Sequence, residues 1–216
     1  VITLDEDPAA KLNLFGVKDT KQISKDLVEK LKEKRGCLFH TVDKMSKGGR
    51  AIDTELINPL TGRVMTGSSS ASSINILKGI NDFAIGTDGG GSVLAPAIST
   101  GLYSIMAKGM GLEGISQRLS TDNITFRPGI GIISHDFQIC KEIVEHLCDV
   151  KPLRIEKLNK KIKIAIPKES TFLLPNKVDS YGFLKPVMDS LEDIAEFIET
   201  DFRDLSNREE SIKRVN

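Results

Sequence analysis

Two segments of this 216-residue chain carry residue types that could do nucleophilic chemistry. One is Thr66-Gly67-Ser68-Ser69-Ser70-Ala71-Ser72, and the other is Gly86-Thr87-Asp88-Gly89-Gly90-Gly91-Ser92. Each sets serine on a backbone of small residues, and the second stacks three glycines directly before its serine. Side chains this small let a substrate approach the main chain and let the main chain take left-handed geometry. A serine hydroxyl there can stand exposed while neighbouring N–H groups point at the same place. That arrangement suits a nucleophile beside an oxyanion hole.

A serine hydroxyl is a poor nucleophile until a base takes its proton, and histidine is the usual base. His40 lies in an apolar run, while His135 and His146 lie on or beside one predicted helix. None is flanked by turn or glycine features that would aim it at a substrate, and the chain has no GxSxG elbow. A Ser-His-Asp triad stays open without local support. The other available base is a neutral lysine, whose pKa of about 10.4 must fall through burial or nearby positive charge. The candidate is Lys18, in Leu14-Phe15-Gly16-Val17-Lys18-Asp19-Thr20, where the apolar run predicts a buried strand. The three cysteines, Cys37, Cys140 and Cys148, do not form a disulfide framework, and with His146 they lack CxxC or HxxxH spacing. They read as positions in packed elements, and neither a metal nor a cofactor is expected.

The composition narrows the partners. Lys plus Arg is 30 and Asp plus Glu is 30, so zero net charge gives no global attraction to nucleic acid or to an anionic membrane. With no Trp and two Tyr, an aromatic platform for single strands is also unsupported. No apolar run approaches the roughly 20 residues of a spanning helix. Val1 to Asp7 lacks the basic-then-apolar pattern of a secretory leader. The sparse cysteines fit a reducing setting. The expectation is a cytoplasmic protein with no membrane or nucleic-acid partner.

The elements that must position these residues follow from periodicity. Ser24 predicts the N-cap of a helix to Arg35 with Leu27, Val28 and Leu31 as its stripe and Gly36 as its stop. Cys37 to Val42 reads as a strand, and residues 43–66 read as loop, punctuated by Gly48-Gly49, Asn58-Pro59 and Thr61-Gly62. A small-residue helix over 71–79 leads to a strand from Asp82 into the glycine loop. Thr125 to Ile133 is apolar and Gly/Pro-punctuated. Ser134 reads as the cap of a helix to about Cys148 that buries Phe137, Ile139, Ile143, Val144 and Leu147. Lys161 to Pro167 alternates as a strand, 184–199 reads as an amphipathic helix, and 201–216 is a charged tail. This predicts one α/β domain over 1–216, with the chemistry at a strand's carboxyl end.

Gly67-Ser68-Ser69, followed by Gly86-Thr87-Asp88-Gly89-Gly90-Gly91-Ser92 and Pro96, resembles the amidase signature family. Val17-Lys18-Asp19 is similar to its upstream lysine segment, Asn58-Pro59 to its Asn-Pro, and Ile162 to Pro167 to a later strand. The likeness covers about residues 14–170. It implies a three-layer α/β/α fold with a mixed central sheet and a Ser–cis-Ser–Lys triad acting on an amide or ester of a small molecule. In that triad Ser92 would be the nucleophile, Ser68 the bridge after a cis peptide, and Lys18 the base. The N–H groups of Gly89, Gly90, Gly91 and Ser92 would hold the oxyanion, with Asp88, Gly67 and Ser69 in support. Leu94 stands where an arginine is common, which the resemblance reads against an acidic substrate. Other readings stay open: a degenerate binding or scaffold protein, an amidotransferase-type subunit with a partner, a homo-oligomer, or an anion-binding glycine loop. The last lacks GxxxxGK[ST] and GxGxxG.

Overall fold

Short, nearly continuous apolar runs make the strands that carry the candidate residues. The computed structural model describes residues 12–119, 123–149, 161–167 and 180–200. The chain divides into two units, Val1–Pro152 and Leu153–Asn216. In the first, β1 (Asn13–Lys18), α1 (Lys25–Lys32) and β2 (Cys37–Asp43) precede a hairpin of β3 (Ile52–Ile57) and β4 (Val64–Thr66). Next come α2 (Ser70–Leu77), β5 (Phe83–Asp88), α3 (Leu94–Ser99) and β6 (Tyr103–Met106). The two-residue strands β7 (Arg118–Leu119) and β8 (Thr125–Phe126) lead to β9 (Gly129–Ser134) and α4 (Phe137–Leu147). The sheet order is β2-β1-β5-β9-β6; β1 runs parallel to β2 and β5, and β9 antiparallel to β5 and β6.

The period of two sends the strand residues to opposite faces. Phe15, Val17, Phe83, Ile85, Ile130 and Ile132 pack with Leu31 of α1 and with Ile139, Ile143 and Val144 of α4. On the other face Ala84 and Ile133 meet Ile76 of α2, Val93 and Ala97 of α3. Helices therefore cover both sides of a mixed sheet, the three-layer α/β/α arrangement expected. The second face is lined by small residues, and this brings α2 close. A Cβ on Gly86 would stand 2.7 Å from Ser69 Oγ and 2.8 Å from Val93 Cγ2.

Several sequence expectations hold and others are corrected. Ser24 caps α1, its hydroxyl accepting from Leu27 N at 3.2 Å. Residues 43–66 are not all loop, since they contain the β3–β4 hairpin. Its pattern is inverted: Ile52, Ile57 and Val64 are exposed, while Asp53 and Met65 are buried. The cap of α4 is Asp136, which accepts from Gln138 N at 2.8 Å. Ser134 instead ends β9 and donates to Asp82 O at 2.8 Å. Phe137, expected in the core, is 52% exposed. It meets Tyr103 edge-on at 6.1 Å.

The second unit contains β10 (Ile162–Pro167), α5 (Ser180–Ser190) and β11 (Ala195–Thr200), with the two strands parallel. The helix expected over 184–199 thus stops at Ser190. Ile194 N and Ala195 N both turn back to Leu191 O, and the chain then pairs in register with β10. That ladder satisfies the backbone from Ala195 onward and overrides the helical period. The charged tail 201–216 lies outside the described residues. Among the described residues no helix is long and apolar enough to cross a membrane, and no cluster of three His, Cys, Asp or Glu could hold a metal ion.

Candidate active site

Lys18 is the last residue of β1, which lies between β2 and β5 in the sheet. That placement buries the side chain to 3% exposure and sets it beside the neighbouring strand. Nζ donates to Ser68 Oγ at 2.6 Å and to the carbonyl of Thr87, on β5, at 3.0 Å. Removal from water lowers its pKa from 10.5 to about 8. The Asp88 carboxylate opposes this shift, and the Arg118 cation adds to it.

Ser68 is also 3% exposed and follows a cis peptide bond from Gly67. The segment is pinned on both sides. Ser46 N donates to Ser68 O at 3.1 Å, and Ser69 N donates to Ser92 O at 3.1 Å. The second bond ties the two serine segments together directly. Only glycine fits at position 67, where a Cβ would run into the Arg50 carbonyl and stand 2.9 Å from Ser46 Oγ.

Ser92 closes the glycine loop that leaves β5, and Asp88 shapes that loop. One carboxylate oxygen accepts from Gly90 N at 2.9 Å and from Gly91 N; the other accepts from Val93 N at 2.7 Å and Leu94 N at 3.3 Å. Gly91 has φ +109°, a conformation open to glycine. Four N–H groups were expected to face an oxyanion. Two of them, those of Gly90 and Gly91, turn to Asp88 instead. Those of Gly89 and Ser92 do not.

Lys18, Ser68, Ser92, Gly89 and Gly90 line one cleft of about 180 Å³. The opposite wall includes Arg118 and Phe126, which are Cα partners across β7 and β8, and Met45 and Gly49 from the segment after β2. Phe126 lies so close to the loop that a Cβ on Gly89 would collide with its ring. Sequence reasoning missed this wall. Two-residue strands have no readable period, and Arg118 sits among polar residues without a motif. Among the described residues no histidine lines the cleft. His40 Nδ1 bonds with Ile80 O and Asn81 Oδ1, both at 3.0 Å, and His146 Nε2 with Lys30 O at 3.0 Å. Burial pushes the Cys140 thiol up to about 12, which keeps it protonated and unreactive. What the cleft holds is a buried amine whose pKa is lowered to about 8, bonded to Ser68, whose chain neighbour Ser69 is tied to Ser92. That set can take a proton from a hydroxyl and return it.

No protein-family model matches the chain, and no curated protein matches it. Among solved structures it is similar to an amidase, with TM-score 0.63 and 21% identity, covering 94% of this chain and 51% of that one. It is also similar to the urea amidolyase of K. lactis, with TM-score 0.63 and 17% identity, over 88% of this chain and 13% of that one. A variant of the allophanate hydrolase of Kluyveromyces lactis gives TM-score 0.61 and 17% identity, over 89% of this chain and 36% of that one. At these identities the likeness shows a shared fold. The chain spans about half the length of the first of these proteins and less of the other two.

Proposed function

We propose that this chain is an amide hydrolase that works through a serine acyl-enzyme, with Ser92 as nucleophile, Ser68 as proton bridge and Lys18 as base. The observation that carries this reading is the buried 2.6 Å bond between Lys18 Nζ and Ser68 Oγ, in the same cleft as Ser92. The shared fold with an amidase supports it. Neutral Lys18 keeps one N–H on Thr87 O and accepts from the Ser68 hydroxyl through its lone pair. Ser68 Oγ in turn takes the Ser92 proton as Ser92 Oγ attacks the amide carbon. The proton passes on to Lys18, and negative charge gathers on the carbonyl oxygen.

The oxyanion falls to the N–H groups of Gly89 and Ser92, because Asp88 holds those of Gly90 and Gly91. Oriented backbone donors of this kind need no reorganisation as charge develops. Ammonium Lys18 then returns its proton through Ser68 to the leaving nitrogen, and the C–N bond breaks. Water attacks the acyl-enzyme by the same route in reverse and frees Ser92. The test is labelling of the folded chain with a fluorophosphonate, read by intact mass. The wild type should gain one adduct and Ser92→Ala none. Absence of an adduct on folded wild type would overturn the reading.

A further inference from the structure

We propose that the cleft takes an amide that carries a second, anionic group, a carboxylate close to the scissile bond, and that Arg118 binds that group. This rests on the hydrolase reading above for the identity of the scissile bond. The charge of the cleft points there. Its lining includes two ionisable side chains, Lys18 and Arg118, and both are basic. The nearby carboxylate of Asp88 has its oxygens turned to four backbone N–H groups of its own loop. The chain as a whole has zero net charge, so this positive cleft is a local feature.

Arg118 is placed to use its charge on a ligand. Among the described residues its guanidinium makes no hydrogen bond or ion pair, unlike the ammonium groups of Lys30, Lys32 and Lys44, which pair with Asp149, Glu29 and Glu55. Its Nη1 lies 4.0 Å from where a Cβ of Gly49 would stand, so the guanidinium faces the Gly48–Gly49 turn. Its cross-strand partner Phe126 closes against Gly89. A guanidinium offers a planar fork of donors that matches a carboxylate, and the ring beside it can cover a short aliphatic spacer. A cationic substrate would meet like charge, and a neutral one would leave the fork unused. The cleft of about 180 Å³ favours a small molecule. On this proposal the positive charge that Leu94 does not supply comes from Arg118, on a short strand remote from it in sequence.

The test uses the Ser92→Ala chain, in which binding is separated from turnover. It is titrated calorimetrically with the half-amide of a four-carbon dicarboxylic acid and with the matching diamide. The anionic half-amide should bind roughly 10- to 100-fold more tightly, the range of a charge-assisted hydrogen-bonded pair. Adding Arg118→Gln should remove that difference, and Arg118→Lys should keep part of it. Equal binding of the two compounds would overturn the inference, as would a preference that survives Arg118→Gln in a chain with wild-type circular dichroism. If the preference holds while the wild-type chain hydrolyses neither compound, the hydrolase reading fails and the anion site stands.

Discussion

If Lys18 is the base, kcat/KM must follow the fraction of Lys18 that is neutral in the free chain. Burial brings its pKa from 10.5 to about 8. At pH 6 roughly one molecule in 100 then carries the neutral amine, at pH 7 roughly one in ten, and at pH 8 about half. A lysine left in water would be neutral in only about one molecule in 3,000 at pH 7. Between pH 6 and pH 9, kcat/KM should therefore climb about 90-fold, with unit slope at first and a plateau above pH 8. The assay is the initial rate of ammonia release from a small primary amide, well below KM, at constant ionic strength. Arg118→Gln should move the midpoint to higher pH, because the Arg118 cation helps to depress the Lys18 pKa. Lys18→Ala should remove the limb along with a roughly 100- to 10,000-fold share of the rate. A limb near pH 6.5 that survives Lys18→Ala would refute the reasoning and give the role to a histidine. A flat profile would remove any titrating base.

Stability carries the same proton. Between pH 8 and 10.5 the unfolded chain keeps a proton on Lys18 that the folded chain has released, so unfolding free energy rises with pH there. From about pH 9 the raised thiols of Cys37, Cys140 and Cys148 oppose this gain, because the unfolded chain loses those protons first. Urea titrations should show a gain of roughly 1 kcal/mol from pH 7 to pH 9, and Lys18→Met should abolish it. Gly86→Ala should cost about 1–3 kcal/mol in the same titrations, since its methyl meets Ser69 and Val93; an unchanged midpoint would show that α2 shifts freely. Asp88→Ala releases the loop N–H groups and should lower kcat at least about 100-fold with circular dichroism intact; an unchanged kcat would show that the loop holds its shape without the carboxylate.

What could be read in the sequence was what depends on near neighbours. The Ser24 cap, the apolar runs of β1 and β5, and the two serine segments are each fixed within a few residues, and the structure brings Lys18, Ser68 and Ser92 to one cleft. Elements that depend on distant partners were misread. The β3–β4 hairpin turns Ile52, Ile57 and Val64 outward while Asp53 is held inside, where it accepts from Ser70 Oγ and from Glu55 N at 3.0 Å. β11 exists because β10 offers it a parallel ladder. Arg118 and Phe126 reach the cleft through strands two residues long.

The serine run was read correctly as a run of small residues, but the smallness has two causes. Ser68 bonds to Lys18, whereas Ser69, Ser72 and Ser73 are fully buried with hydroxyls that have no partner among the described residues. Their size serves packing: α2 lies against a sheet face that carries Gly86, and a larger side chain at Ser69 would drive them apart. That packing also sets the geometry of the candidate site. Ser69 N holds Ser92 O, so the depth at which α2 seats on the sheet fixes where Ser68 stands relative to Ser92. A Ser69→Val exchange tests this coupling, because it leaves every proposed proton-transfer group in place. It should lower kcat at least about tenfold and leave the pH midpoint near 8, since a small displacement of positioned groups costs rate without altering their titration. A normal kcat in that variant would show that the helix and the site are independent.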